Sequence, residues 1–195
     1  MELRERILDA AARVYSETGF RGATTRLIAE RAGVNEITLF RHFGSKERLL
    51  REAVHCASTG TEDSACHFPA HGEAPGTDIR NWARSVFQTL YEQRGLIRKA
   101  IGEAEEHPEL LPADQTHAAC AQRALEGYLE SLRQANHITT DVDLQASVKL
   151  LLGAIFAEAM TGDLFPDQHR PSPDQTVDQF VTLFLRALGI KETDR

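Results

Sequence analysis

Residues 24–50 read TTRLIAERAGVNEITLFRHFGSKERLL and contain the pattern from which the predicted fold follows. The hydroxyl of Thr24 can accept a hydrogen bond from a free N–H, so it predicts the start of a helix. Gly33 ends that helix because glycine tolerates the positive φ of a tight turn. Asn35 is a good N-cap for a second, short helix, and Ala29 is small enough to let the two helices cross closely. This spacing predicts a helix-turn-helix.

The second helix of the pair, residues 36–43, has an inward and an outward face. Leu39 and Phe43 lie one turn apart, so they are predicted to point toward the core. The 100° step between residues turns the side chains next to them outward. Apolar outward side chains suit thymine methyl groups, and polar ones suit base edges or phosphate oxygens. The outward set expected in the DNA major groove is Ile37, Thr38, Phe40 and Arg41. The alternative is a helical hairpin that only packs on the rest of the protein.

The segment Thr24 to Leu50 resembles the DNA-binding region of the tetracycline-repressor (TetR) family of bacterial transcription regulators. The resemblance implies an all-α homodimer that binds a palindromic operator in double-stranded DNA. It also implies a three-helix DNA-binding domain over residues 1–50 and a larger helical domain over residues 51–195 for ligand binding and dimerisation. By position, the resemblance assigns phosphate or base contacts to Thr24, Thr25 and Arg26, to Thr38 and His42, and to Lys46 at the start of the next helix.

Two positions depart from the family pattern. Phe40 stands where the family often has tyrosine, so a hydroxyl contact to phosphate is missing. Glu36 stands where many members have a lysine or a neutral side chain. A carboxylate here repels phosphate unless it accepts a hydrogen bond from cytosine N4. Glu36 is therefore either a specificity determinant or a charge that favours the helix N-terminus.

Charge is unevenly distributed along the 195 residues, whose net charge is −7. Residues 1–55 contain 10 basic and 8 acidic side chains, a balance of +2, and the remainder has a balance of −9. The overall acidity argues against nucleic acid, whereas the basic N-terminal part is compatible with it. The longest apolar run, residues 150–157, is shorter than the roughly 20 residues of a membrane span. No membrane association is therefore expected, and the sparse cysteines favour a reducing, cytoplasmic location.

Apolar residues recur with helical periodicity along most of the chain. A first helix is expected from Leu3 to Thr18, with Gly19 as its stop and Phe20 folding back on its end. Further helices are expected at about residues 77–93, 95–106, 113–135, 141–162 and 174–189. The carboxylates at positions 103, 105, 106 and 109 are interpreted as a solvated face.

The last two helices have more apolar surface than one core requires. A helix that is apolar on nearly all sides must be buried on two faces, which indicates packing on a second subunit. The alternative is one large monomeric core. The predicted dimer interface consists of Leu150, Gly153, Ala154, Ala157, Val177, Phe180, Leu183, Phe184 and Ala187.

A ligand pocket in the C-terminal part is implied by the resemblance. Polarisable side chains could line it, although plain core packing is the alternative for each of them. The residues concerned are Trp82, Phe87, Tyr91, Cys120, Tyr128, Phe156 and Met160. Few charged residues accompany them, which favours an apolar or aromatic small molecule.

Soft metal-binding side chains cluster between residues 55 and 71. Cys56, Cys66, His67 and His71 could bind zinc or copper or sense oxidation, although their spacing matches no standard zinc site. A polar loop is the alternative.

No catalytic motif is present, so we expect neither enzymatic activity nor a cofactor. The predicted function is a ligand-responsive repressor. The alternatives are a DNA-binding activator or architectural protein that acts without a ligand or under the control of a partner, and a regulator that senses metal or oxidation through the cluster at residues 55–71.

Overall fold

The computed structural model describes residues 2–59, 68, 74–110, 117–164 and 171–190. Every regular element in these ranges is helical, which confirms the predicted all-α class. One 3-10 helix spans Pro108–Leu110. The α-helices are α1 (Leu3–Gly22), α2 (Thr25–Ala32), α3 (Glu36–Phe43), α4 (Lys46–Thr59), α5 (Pro75–Glu103), α6 (His117–Gln134), α7 (Leu144–Thr161) and α8 (Pro173–Leu188).

The chain divides into two compact units. The first unit comprises Met1–Thr61 and Gln93–Thr116, and the second comprises Glu62–Glu92 and His117–Arg195. Helix α5 therefore contributes its earlier turns to the second unit and its last turns to the first.

The first unit is built around the inward face of α1. Ile7, Val14 and Tyr15 are fully buried there, and α1 packs against both α2 and α4. Leu96 from the end of α5 and Leu110 from the 3-10 helix complete the same apolar cluster. The first four helices thus share one core with residues from the end of α5 and from the 3-10 helix.

The second unit contains the earlier turns of α5 together with α6, α7 and α8. Helix α7 packs against both α6 and α8. Polar contacts fix α5 to its neighbours: the Tyr128 hydroxyl donates to Asp78 at 2.9 Å, and Arg84 Nε donates to Asp178 at 2.8 Å. These pairs join α6 and α8 to α5 and orient the helices around an apolar interior.

Two helix boundaries differ from the sequence-based expectation. Helix α1 does not stop at Gly19 but kinks there, with φ of 72°, and continues to Gly22. The break expected between residues 93 and 95 is absent, because α5 runs through Gly95 and its neighbours Leu96 and Ile97 are buried. Burial of these two side chains outweighs the roughly 1 kcal/mol that a glycine costs inside a helix.

Helix α7 is the one described helix whose length and apolarity would allow it to cross a bilayer, with a mean hydropathy of 1.3 over Leu144–Thr161. A core helix reaches the same composition because it is covered on more than one side. Val148 and Ile155 are fully buried within the second unit. Leu150, by contrast, is 77% exposed, so one face of α7 is uncovered in the single chain.

Candidate nucleic-acid interface

Helix α2 and the turn after it are fixed by local hydrogen bonds. The Thr24 hydroxyl accepts from the Leu27 N–H at 3.2 Å and caps the helix N-terminus. Gly33 follows the helix with φ of 64°, in the left-handed region that favours glycine. From α1, the Arg6 guanidinium donates to the Ala32 carbonyl at 2.8 Å and satisfies an acceptor at the helix C-terminus. The Thr24 cap and the Arg6 contact therefore stabilise the two ends of α2, and this fixes where the turn and α3 begin.

Helix α3 presents the outward face that the sequence predicts. The Asn35 side chain accepts from the Ile37 N–H at 2.9 Å and starts the helix. Leu39 and Phe43 are buried, at 0% and 1% exposure, so they anchor α3 to the first unit. Ile37 is 74% exposed. The remaining outward residues are Thr38, which is half-buried, and Phe40, Arg41 and His42, which are exposed.

Glu36 has a partner that the sequence did not predict. Its carboxylate accepts from the Thr25 hydroxyl at 3.3 Å, which joins the first residue of α3 to the first residue of α2. Both side chains are half-buried. Glu36 is thus joined to Thr25, which the family resemblance places beside DNA, and it also carries a negative charge at the helix N-terminus.

Cations of the first unit fall into two groups. Arg13 pairs with Asp9 at 3.1 Å, Arg31 with Glu17 at 3.2 Å, and Arg48 with Glu52 at 3.0 Å. Arg4 also pairs with Glu52, and Arg21 lies 3.5 Å from Glu106.

Arg26, on α2, and Arg41, on α3, are exposed and have no acidic partner within the part of the chain that the structure describes. They are therefore available to an incoming phosphate.

Lys46 lies at the N-terminus of α4, where free N–H groups attract anions. The Ser45 hydroxyl accepts from the Arg48 N–H at 3.1 Å and so caps this helix. The Lys46 ammonium lies 4.4 Å from the centroid of the Phe20 ring. Partial burial lowers the pKa of Lys46 from its ordinary value.

A buried two-helix frame with exposed apolar and basic side chains on its second helix defines a helix-turn-helix DNA-binding protein. Residues 7–53 match the family of bacterial regulatory proteins known as the tetR family. The HTH-type transcriptional regulator YvkB of Bacillus subtilis is 41% identical over 138 residues, which cover 70% of either chain. The chain belongs to the TetR family of transcription regulators.

Similarity to other members extends over almost the whole chain. The HTH-type transcriptional repressor KstR2 of Rhodococcus jostii is 24% identical over 196 residues, covering 95% of this chain and 91% of that one. A solved TetR-family regulator from Mesorhizobium loti superposes with a TM-score of 0.75 at 22% identity, covering 94% of this chain and 95% of the other. The C-terminal part of the chain therefore also has the fold of the TetR family.

The predicted ligand-lining residues lie in the second unit. Trp82, Phe87, Tyr128 and Met160 are buried, and the side chains of Tyr91, Cys120 and Phe156 are half-buried. The Phe68 ring stacks on Trp82 and Tyr128, with centroids 4.9 Å and 4.2 Å apart. Burial, and the hydrogen bond to Asp78, raise the pKa of the Tyr128 hydroxyl. Cys120 is disulfide-bonded, so the expectation of reduced thiols does not hold at this position.

An open groove of about 500 Å³ lies elsewhere in the second unit, between α6 and the start of α7. Arg123, Glu126, Glu130 and Arg133 line it, and it contains none of the predicted pocket residues. Arg133 pairs with Glu130, so part of the charge in this groove is already neutralised.

The predicted dimer residues divide into exposed and buried ones. Leu183 is 63% exposed and Leu150 is 77% exposed, with Gly153, Ala157 and Ala187 also exposed and Ala154 and Phe180 half-buried. Val177 and Phe184, at 0% and 5% exposure, point into the core of their own unit. The main apolar stripe of α8 is covered by its own neighbours in the single chain, so these two residues are not part of the exposed face of the helix.

The predicted metal or redox cluster falls mostly outside the described residues. Cys66, His67 and His71 lie there, whereas Cys56 is an exposed thiol on α4. Partial desolvation of the sulfur raises the pKa of the Cys56 thiol. Within the described ranges no group of three or more His, Cys, Asp or Glu side chains could hold a metal ion.

Proposed function

We propose that the protein is a cytoplasmic, homodimeric repressor that binds a palindromic operator and is released from it by a small molecule. The observation that carries this proposal is the outward face of α3. Ile37 is 74% exposed although the neighbouring Leu39 is fully buried, so an apolar side chain is held in solvent by a rigid core. Exposed apolar side chains of this kind fit thymine methyl groups in the major groove.

The DNA contacts divide into those that position the protein and those that read bases. Thr24, Thr25 and Lys46 lie at the N-terminal ends of α2 and α4, where free N–H groups and hydroxyls suit phosphate oxygens. Arg26 adds a positive charge near the start of α2. The base-reading set on α3 consists of Ile37, Thr38, Phe40, Arg41 and His42. Glu36 is held by Thr25, so it acts chiefly by orienting these two helix ends.

The proposed dimer uses the exposed face of α7 and α8. Leu150, Gly153 and Ala157 on α7 are uncovered in the single chain, as is Leu183 on α8. Small residues on α7 allow a second copy of this face to approach closely, which suits a two-fold interface of four helices. Two copies place two recognition helices on one DNA molecule, which a palindromic site requires.

The proposed ligand is apolar or aromatic and binds among the aromatic side chains of the second unit. The Phe68 ring stacks on Trp82 and Tyr128, so a bound ligand would take the place of that ring, with the Asp78 carboxylate as one polar group beside it. Such a ligand acts only if it binds two conformations with different affinity, and a typical coupling of ~1–3 kcal/mol changes operator affinity ~5- to 150-fold.

Operator selection from a random pool of DNA duplexes, followed by fluorescence anisotropy, tests the proposal. Lys46→Ala should weaken binding to all sequences and reduce the slope of log K against log salt by about 0.9 for each phosphate that the variant no longer neutralises. Arg41→Ala should also change the selected sequence, at a cost of ~1–3 kcal/mol for each base that it no longer reads. Arg13→Ala is the matched control, because Arg13 is exposed on α1 and paired with Asp9.

The outcomes separate the proposal from its alternatives. Unchanged affinity and sequence preference in Arg41→Ala would contradict the assignment of α3 as the recognition helix. A screen of small molecules against the protein–operator complex tests the ligand. If no compound changes operator affinity, a regulator that acts without a ligand is favoured.

A further inference from the structure

The kink in α1 is occupied by a carboxylate from a distant part of the chain. The Phe20 N–H, freed from regular helix bonding by the kink at Gly19, donates to both oxygens of Glu103, at 3.1 Å and 3.2 Å. Glu103 is the last residue of α5. A Cβ atom at Gly19 would lie 2.6 Å from Glu103 Oε1, so only glycine allows this approach. The expectation that Glu103 belongs to a solvated acidic face is therefore wrong.

The ring of Phe20 contacts two further residues from different segments. The His107 imidazole stacks on it with centroids 3.5 Å apart and an angle of 23° between the planes. The Lys46 ammonium lies 4.4 Å from the same centroid, within the range of a cation–π interaction. One aromatic ring thus joins the segment after α5 to the first residue of α4.

His107 is itself held in place by the backbone. Its N–H donates to the Glu103 carbonyl at 2.8 Å, and the 3-10 helix that begins one residue later packs against α4. On the other side of the kink, the Lys99 ammonium donates to the Ser16 carbonyl at 2.8 Å. The end of α5 therefore holds the end of α1 at several points, and Phe20 is fixed between them.

We propose that Glu103 and His107 are positioning residues for DNA binding: they hold the Phe20 ring, and the ring holds the Lys46 ammonium where it meets a phosphate. This inference rests on the proposed phosphate contact of Lys46. The Glu103 carboxylate also attracts the Lys46 charge, so it favours the same position. A lysine side chain has about 2 kcal/mol of rotamer entropy to lose, and a side chain that is already ordered loses less when it binds.

A double-mutant cycle tests whether His107 acts through Lys46. The assay is the affinity for a duplex selected by the wild-type protein, measured at two salt concentrations. His107→Ala and Glu103→Ala should each weaken binding about two- to tenfold, the range for removal of an aromatic or cation–π interaction. In a Lys46→Ala background neither change should weaken it further. His107→Phe should restore wild-type affinity because it keeps the stacked ring.

Glu105→Ala is the matched control, since Glu105 is an exposed neighbour on the same segment. A second measurement needs no DNA. The Hε resonances of Lys46 should be shifted upfield by the Phe20 ring in the wild type and return toward random-coil values in His107→Ala but not in Glu105→Ala.

The results distinguish this inference from the function on which it rests. If Lys46→Ala leaves DNA affinity and salt dependence unchanged, the phosphate contact is refuted and the positioning role with it. If Lys46→Ala weakens binding but His107→Ala weakens the wild type and the Lys46→Ala protein equally, the phosphate contact stands and the positioning role is overturned. An unshifted Lys46 resonance in the wild type also overturns it.

Discussion

Replacing Leu183 by aspartate gives a quantitative test of the proposed dimer. Leu183 is 63% exposed in the single chain, so its side chain contributes little to its own core. Full burial of a leucine is worth about 1.5–3 kcal/mol, so covering the exposed part stabilises a dimer by about 1–2 kcal/mol per copy. A two-fold interface contains the residue twice. The substitution should therefore cost about 2–4 kcal/mol, before the cost of burying two carboxylates is added.

This destabilisation corresponds to an increase of about 30- to 700-fold in the dimer dissociation constant. Sedimentation equilibrium over a range of protein concentrations measures it directly. Ile101→Asp is the control, because Ile101 is 46% exposed on α5 and lies outside the proposed face. Phe184→Asp is unsuitable, since Phe184 is buried and its replacement would unfold the second unit.

Two results would contradict the proposed dimer interface. A Leu183→Asp protein that dimerises as tightly as the wild type would show that α8 does not form the interface. A wild-type protein that stays monomeric at concentrations well above those at which it binds DNA would show that the exposed face has another use. A folded monomer with weakened operator binding is the expected outcome.

Four further substitutions test the helix-turn-helix and its neighbour α4. Gly33→Ala should destabilise the protein by roughly 1–2 kcal/mol in thermal unfolding, because φ at this position is 64° and alanine is strained there. Leu39→Ala should cost about 2–5 kcal/mol as a buried truncation, whereas Ile37→Ala should leave stability within about 0.5 kcal/mol and weaken operator binding instead. Hydrogen bonds from its own N–H and from the Ser45 hydroxyl lower the pKa of Glu47 below its ordinary 4.5. Its carboxylate therefore stabilises the fold above that pH, and this contribution disappears as the pH falls through the lowered pKa. Glu47→Gln should accordingly lose less stability on acidification than the wild type, and an equal decrease in both proteins would contradict that assignment.

The recognition helix could be predicted from sequence because its signals are local. Asn35 caps it, Gly44 follows it, and the bounds expected from these residues, 36–43, are those of α3. Capping and turn preferences depend on hydrogen bonds within a few residues, so they can be read without knowing the tertiary fold. The inward positions of Leu39 and Phe43 followed from helical periodicity alone and are confirmed.

The dimer face and the kink contact could not be predicted in the same way. Two apolar stripes on α8 indicate two covered faces, but periodicity does not say which one faces the protein's own core. The structure assigns the core to the stripe of Val177 and Phe184 and leaves Leu183 exposed. Glu103 lies 83 residues from Phe20, and such a contact leaves no signal in local pattern. The only local signal of this contact in the sequence is Gly19, which is predicted as a helix stop because glycine tolerates a positive φ.

The modest charge of the N-terminal part explains why the proposed dimer and the proposed DNA interface depend on each other. Arg13, Arg31 and Arg48 are paired with acidic side chains, so they add little to the field that a phosphate meets. Arg26, Arg41 and Lys46 are the cations proposed to meet DNA, and one protomer thus offers few contacts to it. Two protomers held together bind the second half-site at a high effective concentration, so affinity rises without any new contact. We therefore expect this protein to bind DNA tightly only as a dimer, and the uncovered face of α7 and α8 is the proposed site of contact with the second copy.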